Sequence, residues 1–251
     1  QEIKEELKIL VKKCTNKPSL GIVLVGDDPA SEKFVSLKQK FGEAIGVDIW
    51  IKILPESASI DSVIASIGRL ETDGVVVQLP LPEHIDEKEV LLSIPKETDV
   101  DMLNGGDFVA PVAGAVFEIL DRHGVQLENK KIVIVGNGKL VGLPTKDMFI
   151  HKGFSPSLVT LETSEEDKLK LLSEADIIVT GAGDPHFIKR DMVKKGVVII
   201  DAGTSKKSGK LEGDACPSCE WKASLMTPVP GGVGPITIAI LFRNLIQKCQ
   251  H

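Results

Sequence analysis

The chain has 251 residues, of which 42% are hydrophobic and 26% are charged. This composition provides enough apolar material for a sizeable core and excludes a wholly disordered chain. A formal charge of −6 argues against a general nucleic-acid binder or a protein held on anionic membranes. No apolar run reaches the roughly 20 residues that span a bilayer. We therefore expect one or two domains of a cytoplasmic protein that handles small molecules.

The first half of the chain alternates short β-branched runs with helical stretches. Three apolar runs predict its strands: residues 20–25, 49–53 and 74–79. Strands that are apolar on both faces are typical of a parallel sheet covered by helices. Asp28 followed by Pro29 predicts the start of a helix, and Gly46 predicts its end. Phe34 and Lys38 then share one face of that helix.

The second half repeats this α/β alternation. Four further apolar runs predict strands: residues 131–136, 157–161, 176–180 and 197–201. Helices are predicted over 113–124, between the two halves, and over 233–247. The predicted organisation is a lobe of residues 1–112, completed by the C-terminal helix at 233–251, and a second lobe of residues 113–232.

A glycine-rich turn is the strongest local signal in the second half. The strand at 132–135 runs into Gly136, Gly138 and Gly142 and then into a predicted helix, whose first turn should contain Lys139. Such glycines let main-chain amides approach a pyrophosphate at the positive end of a helix. The spacing G-x-G-x-x-x-G is one residue longer than the usual dinucleotide motif, and glycine is also simply favourable in a turn, so both interpretations stay open.

Several polar residues lie at the ends of predicted strands. Glu162 closes the strand after the glycine-rich turn, where a carboxylate favours NAD by repelling a 2′-phosphate, although an exposed turn acid would look the same. Gln78 ends an otherwise apolar run, so it either satisfies loop backbone or faces a site. Asp99 and Asp101 are expected to be solvated turn acids.

Two more segments are unusual in composition. Residues 227–237 contain three prolines and three glycines before an apolar helix, which suits a binding loop or a linker. Cys216 and Cys219 form a single C-x-x-C without a second ligand pair. We interpret them as incidental surface cysteines and assign no metal site.

Four of these stretches, in their order along the chain, closely resemble the bifunctional methylenetetrahydrofolate dehydrogenase/cyclohydrolase family. Val25 to Ser31 resembles its V-G-x-x-x-A-S, and Val77 to Pro82 its V-Q-L-P-L-P. Asp99 to Asp101 resembles its D-V-D-G, and Pro228 to Thr237 its P-V-P-G-G-V-G-P-x-T. The similarity extends from about residue 20 to the end of the chain.

The resemblance implies an α/β fold of two lobes joined by long helices. One lobe would bind folate and carry the catalytic residues, and the other would be a Rossmann-type lobe with a parallel sheet. The implied activities are oxidation of 5,10-methylenetetrahydrofolate with NAD or NADP and hydrolysis of the methenyl product to 10-formyltetrahydrofolate. A homodimer formed through the cofactor lobes is implied as well.

The resemblance also implies roles for single residues. Lys38 matches the catalytic lysine, Gln78 the glutamine beside it, and Asp101 the acid that holds the pterin. The residues implied at the folate are Phe34, Lys38, Gln78, Asp101, Pro228, Pro230, Gly231 and Gly232. Those implied at the cofactor are Gly136, Asn137, Gly138, Ser164 and Thr204, to which the strand spacing adds Glu162. Hydrolysis needs a general acid/base, for which Lys38 is the candidate.

Three departures from the family pattern concern these sites. Phe34 replaces the tyrosine of Y-x-x-x-K, which predicts a reduced cyclohydrolase activity. Asn137 replaces an arginine suited to a 2′-phosphate, which together with Glu162 favours NAD. Met102 replaces the glycine after Asp101. The alternative hypothesis is a catalytically degraded paralogue that binds folate or a nucleotide for regulation.

Overall fold

The computed structural model describes residues 1–207 and 210–250, which form an α/β protein with parallel sheets, as predicted. The chain divides into two compact units, residues 1–111 with 238–251 and residues 112–237. It passes from the first unit to the second at Pro111 and Val112, and it returns between Thr237 and Ile238. The sequence places the first boundary one residue later, after residue 112, and the second five residues earlier, before residue 233. The second boundary falls within the last helix, so this helix belongs to both units.

The elements follow each other in the alternating order that the sequence indicates. The α-helices of the described residues are α1 (Glu2–Val11), α2 (Pro29–Ile45), α3 (Ile60–Gly68), α4 (Glu87–Leu92), α5 (Pro111–Arg122), α6 (Gly142–His151), α7 (Glu165–Glu174) and α8 (Val233–Lys248). The strands are β1 (Ser19–Val25), β2 (Asp48–Leu54), β3 (Gly74–Val77), β4 (Ile132–Val135), β5 (Ser157–Val159), β6 (Ile177–Thr180), β7 (Val198–Asp201), β8 (Ser205–Lys207), β9 (Lys210–Glu212) and β10 (Leu225–Met226).

The first unit is built on a three-stranded parallel sheet in the order β2-β1-β3. Alternate residues of β1 point into two separate cores, so both faces of the strand are covered. Ile22 packs in the core that also contains Phe242 of α8 and Val35 of α2. Val23 packs in the other core, with Val63 of α3.

Helix α2 begins and ends where the sequence predicts. The Asp28 carboxylate accepts a hydrogen bond from the Ser31 N–H at 2.8 Å, and Pro29 is the first helical residue. Gly46 ends the helix in the left-handed conformation. Phe34 and Lys38 therefore lie one turn apart on this helix.

The second unit contains a five-stranded parallel sheet in the order β10-β7-β6-β4-β5. Helices α5 and α6 meet through Phe117 and Phe149, whose ring centroids are 4.5 Å apart. Leu172 of α7 packs in a core with Val133 and Ile178. β8 and β9 form a small antiparallel hairpin outside this sheet.

Three details of the second unit differ from the prediction. Helix α6 begins at Gly142, so Lys139 lies in the turn before the helix and not in its first turn. Strand β5 ends at Val159, so Glu162 lies in a turn and does not close the strand. Cys219 is fully buried, with its thiol donating to the Ile188 carbonyl at 3.4 Å, so it is not a surface cysteine. Burial raises the pKa of the Cys219 thiol to about 11.

None of the helices in the described residues is long and apolar enough to cross a membrane.

Candidate functional site

A buried lysine, a glutamine and an aspartate come together in the first unit. Lys38 is 9% exposed, and its Nζ lies 3.1 Å from Gln78 Oε1 and 3.7 Å from Asp101 Oδ2. The Gln78 Nε2 donates to the Leu79 carbonyl at 2.7 Å, which directs the amide oxygen toward the lysine. Within the described part of the chain, Gln78 Oε1 is the only hydrogen-bond acceptor of the Lys38 ammonium. This ammonium therefore keeps donor capacity for a further partner.

Three separate elements supply these side chains. Lys38 lies on α2, and Gln78 is the first residue after β3, where its main-chain N–H still donates to the Val23 carbonyl at 2.9 Å. Asp101 belongs to a segment that runs beside β3 through a bridge between Val75 and Asp99. The cluster thus lies at the carboxyl end of the parallel strands, where α/β sheets bind their ligands.

Asp99 differs most from its prediction in this region. The sequence predicts a solvated turn acid, but Asp99 is fully buried, and its Oδ2 accepts a hydrogen bond from the Asn104 N–H at 2.5 Å. Burial raises the pKa of the Asp99 carboxyl, while the N–H groups of Asn104 and Leu103 act in the opposite direction. Its carboxylate anchors the turn that follows Asp101.

Met102 has a backbone conformation that explains the glycine of the resembled motif. Its φ is 59°, in the left-handed region that a side chain disfavours. The turn is nevertheless kept, since the Met102 N–H donates to the Asp99 carbonyl at 3.1 Å. The replacement of glycine by methionine therefore introduces local strain while Asp101 stays in the cluster, 3.7 Å from Lys38 Nζ.

The glycine-rich turn of the second unit forms between β4 and α6. Gly136 has a φ of 95°, and a Cβ there would lie 2.8 Å from the Gly181 carbonyl oxygen. A Cβ on Gly142 would lie 2.0 Å from the Gly136 carbonyl oxygen, so the turn and the first residue of α6 touch through bare backbone. A Cβ on Gly138 would meet nothing within 4 Å. Gly138 is therefore free of the packing that requires glycine at the other two positions.

The N-terminus of α6, like that of α1, has no side-chain cap, whereas Asp28, Ser59, Asp86 and Ser164 cap α2, α3, α4 and α7. Among the described residues, the Leu143 N–H already donates to the Gly138 carbonyl at 3.1 Å and Pro144 has no N–H, so the first turn of α6 keeps the Gly142 N–H for an anion. The glycines of the turn and this one helix amide are compatible with a dinucleotide pyrophosphate.

The other cofactor candidates lie around the turns of the second unit. Asn137, Gly138, Glu162 and Thr204 are exposed. The Ser164 hydroxyl already makes two hydrogen bonds within the protein. It accepts from the Asp167 N–H at 3.1 Å and donates to the Asp167 carboxylate at 2.7 Å. The hydroxyl of Ser164 thus serves first as the cap of α7.

The proline- and glycine-rich segment precedes α8 in the second unit. Gly231 has a φ of 103°, and the Gly232 N–H donates to the Pro228 carbonyl at 2.9 Å, which closes a turn. Pro228, Pro230 and Gly231 are exposed and Gly232 is half-buried. The turn is held at its base by Thr227, whose Oγ1 accepts from the Asp201 N–H at 2.7 Å.

Two buried carboxylates in the second unit, Asp201 and Asp214, are not among the residues that the sequence motifs single out. Thr180 and Asp201 are the last residues of the neighbouring strands β6 and β7, and Asp214 follows the β8–β9 hairpin. Asp201 Oδ1 accepts from the Gly203 and Asp214 N–H groups at 2.9 and 3.2 Å, and Oδ2 accepts from the Ala215 N–H at 2.8 Å. Burial raises the pKa of Asp201 to about 6, and the charge of Asp214 acts in the same direction. A polar residue at the carboxyl end of a parallel strand was the available signal for Asp201.

Two family models match the chain over most of its length. The catalytic domain of tetrahydrofolate dehydrogenase/cyclohydrolase matches residues 1–101, and the NAD(P)-binding domain of the same family matches residues 110–251. The chain belongs to the tetrahydrofolate dehydrogenase/cyclohydrolase family. The resemblance stated from the four motifs is thereby confirmed.

Individual relatives agree with this family. The bifunctional protein FolD of Aquifex aeolicus is 39% identical over 267 residues, covering 100% of this chain and 91% of that protein. The crystal structure of the bifunctional FolD methylenetetrahydrofolate dehydrogenase/cyclohydrolase from Campylobacter jejuni has a TM-score of 0.92 at 33% identity, covering 99% of this chain and 95% of that one. The Trypanosoma brucei enzyme, solved with NADP and an inhibitor, has a TM-score of 0.89 at 30% identity, covering 99% and 92%.

The two matches divide the candidate residues of this tetrahydrofolate dehydrogenase/cyclohydrolase family member. Lys38, Gln78 and Asp101 lie within the catalytic-domain match. The glycine-rich turn and the proline- and glycine-rich segment lie within the NAD(P)-binding-domain match.

Proposed function

We propose that the chain oxidises 5,10-methylenetetrahydrofolate to the 5,10-methenyl form with a nicotinamide nucleotide and hydrolyses that product to 10-formyltetrahydrofolate. The observation that carries this proposal is the ammonium of Lys38, buried beside Gln78 and Asp101 with donor capacity left over. The dehydrogenase/cyclohydrolase activities named for the Aquifex and Campylobacter relatives support it. No observation on the described residues favours a degraded regulatory paralogue.

Lys38 is the proposed general acid/base of the hydrolysis. Water must add to the methenyl carbon between two folate nitrogens, one C–N bond must then break, and protons must move from the water to the leaving nitrogen. A side chain that can give and take a proton at that carbon supplies this transfer. The lysine is the only member of the cluster that carries ammonium protons, and its long stem lets Nζ reach a substrate atom while the helix stays fixed.

Gln78 and Asp101 are proposed to orient the lysine and the pterin. The hydrogen bond from Gln78 Nε2 to the main chain fixes the amide, so its oxygen holds Nζ in one place. The Asp101 side chain is 21% exposed and so retains access for a ligand. A carboxylate is suited to accept hydrogen bonds from the N–H groups of a pterin ring. Phe34 and the segment from Pro228 to Gly232 are proposed as further folate contacts.

The oxidation requires alignment more than proton transfer. The lone pairs of the flanking folate nitrogens assist hydride loss, and the nicotinamide ring of the bound nucleotide accepts the hydride. The residues proposed to hold that nucleotide are Gly136, Asn137, Gly138 and the Gly142 N–H of α6 at its pyrophosphate. Glu162, Ser164 and Thr204 are proposed contacts of its remaining groups.

The charges around the end of β5 favour NAD over NADP. Glu162 lies in the turn after this strand, and Glu165, Glu166 and Asp167 form the first turn of α7. The segments 136–142 and 160–168 contain no arginine and only two lysines. Lys168 is bound to Glu165 at 2.7 Å, which leaves Lys139 as the one cation of these segments without a carboxylate partner. A 2′-phosphate would therefore meet mainly negative charge.

Nucleotide titration tests this preference. We expect the dissociation constant for NAD to be lower than that for NADP by at least about tenfold, equivalent to about 1.4 kcal/mol. Lys139→Ala removes the cation that partly offsets these carboxylates. It should therefore weaken the binding of NADP further and leave the binding of NAD unchanged. Equal or tighter binding of NADP by the unmodified protein would contradict the proposal.

The function itself is tested by two assays on the purified protein. Incubation with 5,10-methylenetetrahydrofolate and NAD should produce reduced nucleotide, and 5,10-methenyltetrahydrofolate alone should be hydrolysed faster than in buffer. Absence of both activities, with folate binding retained in calorimetry, would favour the degraded paralogue. A homodimer is also proposed, from the family resemblance alone, and sedimentation equilibrium at micromolar concentration tests it.

A further inference from the structure

The Asp214 carboxylate is fully buried and binds main chain from a distant loop. Its Oδ2 accepts from the Thr180 hydroxyl at 2.8 Å and from the Ala182 N–H at 2.7 Å. Its Oδ1 accepts from the Asp184 N–H at 3.0 Å. One carboxylate thus fixes the loop of residues 181–184, which follows β6, at two of its four amides.

This loop lies at the point where the sheet order reverses. From β4 the chain moves outward to β5 and then returns to place β6 on the other side of β4. In parallel sheets the crevice between the two loops that leave such a pair of strands is where ligands bind. The loops in question are the glycine-rich turn after β4 and the 181–184 loop after β6.

The two loops pack against each other without room for adjustment. A Cβ on Gly181 would lie 2.4 Å from Val141 Cγ1, and a Cβ on Gly136 would lie 3.0 Å from Ala182 Cα. A shift of the 181–184 loop would therefore displace the glycine-rich turn as well, since close-packed backbone cannot yield separately.

We propose that Asp214 is a positioning residue for the nicotinamide nucleotide, setting the main chain of residues 181–184 that forms one wall of the nucleotide crevice. The inference rests on the proposed function. Asp214 is itself held, because its N–H and that of Ala215 donate to the Asp201 carboxylate at 3.2 and 2.8 Å. The support therefore runs from β7 through Asp214 to the loop after β6.

A carboxylate is required because three donors converge on one side chain. Asparagine presents a single acceptor oxygen, and its NH₂ group would face either the Asp184 N–H or the donors of Thr180 and Ala182. At least one of these donors would then lose its partner, which costs free energy even where the hydrogen bond is only part-buried. The loop can avoid this cost only by moving away from the arrangement that the nucleotide requires.

The test compares Asp214→Asn with a matched aspartate of the same unit. Asp176 lies at the opposite end of β6, where it accepts from the Lys131 N–H and pairs with Lys194, both at 2.8 Å. We expect D214N to weaken NAD binding in calorimetry by about tenfold or more and to raise the KM for NAD by a similar factor. The KM for methylenetetrahydrofolate should change less than about twofold. Asp176→Asn should leave both KM values unchanged.

Thr180 provides a milder pair of variants that keeps the test decisive if D214N does not fold. Thr180→Val removes one donor to Asp214 and should weaken NAD about threefold, while Thr180→Ser keeps the hydroxyl and should restore binding. Unchanged NAD affinity in folded D214N, or no difference between the valine and serine variants, would overturn the inference. If the unmodified protein binds no nicotinamide nucleotide, the proposed function fails and this inference fails with it.

Discussion

The cluster around Lys38 and the carboxylate pair of Asp201 and Asp214 both bury charge, but they satisfy it differently. Among the described residues, the Lys38 ammonium has one hydrogen bond, to Gln78, and an ion-pair contact with Asp101. The two carboxylates receive three hydrogen bonds each, mainly from main-chain N–H groups. The Lys38 ammonium therefore keeps donor hydrogens for a substrate, whereas the carboxylates of Asp201 and Asp214 already receive their hydrogen bonds from the protein.

The comparison teaches that hydrogen-bond satisfaction, more than burial, separates a reacting group from a supporting one. A buried polar group that is fully paired fixes the structure around it. A buried charge with free donors is costly for the folded protein and is kept where a ligand completes its shell. Substitutions in the two regions should accordingly affect different measurements.

Removal of the Lys38 charge should produce the largest effect on the reaction. Lys38→Met keeps the aliphatic stem but cannot transfer a proton, so hydrolysis of methenyltetrahydrofolate should fall by about 100-fold or more. Binding of NAD, measured by calorimetry, should stay within about twofold, because the glycine-rich turn belongs to the other unit.

Lys40→Met is the matched control for this experiment. Lys40 lies on the same helix and is exposed. Its substitution should leave both measurements unchanged. Retained hydrolysis in K38M, or an equal loss in K40M, would remove Lys38 from the proposed role.

Removal of the Asp201 charge should change stability as a function of pH. An aspartate of the unfolded chain has a pKa near 3.9, and burial raises that of folded Asp201 to about 6. Between about pH 4 and pH 6 the folded protein therefore holds a proton that the unfolded chain has lost. Its free energy of unfolding falls over this range as the pH rises. Asp201→Asn should remove a component of about 3 kcal/mol.

Urea unfolding at several pH values between 4 and 7.5 measures this component. The quantity to compare is the difference in unfolding free energy between the unmodified protein and D201N, and this difference should vary with pH. Glu174 and Asp176, whose pKa values are lowered chiefly through contacts with lysines, remain in both proteins and cancel. Parallel pH profiles would contradict an elevated pKa at Asp201.

A hydroxyl added beside the Lys38 cluster should raise turnover modestly. Phe34 is 38% exposed and lies one turn before Lys38, where the family has tyrosine. Phe34→Tyr should increase cyclohydrolase turnover about two- to tenfold, the equivalent of one hydrogen bond of about 0.5 to 1.5 kcal/mol. Leu37→Tyr, on the same helix and 43% exposed, should not. No gain in F34Y would show that the cluster needs no further hydroxyl.

The smallest expected effect is at the turn that carries Asp101. Met102→Gly removes the strain of a side chain at a φ of 59°, partly offset by the greater freedom of glycine in the unfolded chain. The net gain should be about 0.5 to 1 kcal/mol in urea unfolding. Asn129 has the same φ of 59° but tolerates it better, so Asn129→Gly should gain less. A destabilised M102G would mean that the methionine side chain contributes more by packing than it costs in strain.

The regular elements of both units could be predicted because their signals are local. The cap formed by Asp28 and Pro29 and the stop at Gly46 act within a few residues, so the bounds of α2 followed from the sequence. Lys139 and Glu162 lie in turns just outside the helix and the strand predicted to contain them. The sequence pattern of a helix or strand continues into neighbouring turn residues, so the exact ends of an element are hard to predict.

The sequence by itself determined the α/β class, the two glycine-rich motifs and the family. Only the tertiary structure decided which side chains meet. Lys38 and Gln78 are 40 positions apart, and Asp214 reaches Thr180 across 34. Such pairings depend on strand order and register, which no short window of sequence contains. Asp99 is a local case, because its main-chain donor, the Asn104 N–H, is only five residues away in the same turn. The burial of Asp201 and Asp214 was hidden for the same reason as the pairings: an aspartate can be buried when main-chain N–H groups converge on it, and those groups come from loops that only the assembled sheet brings together.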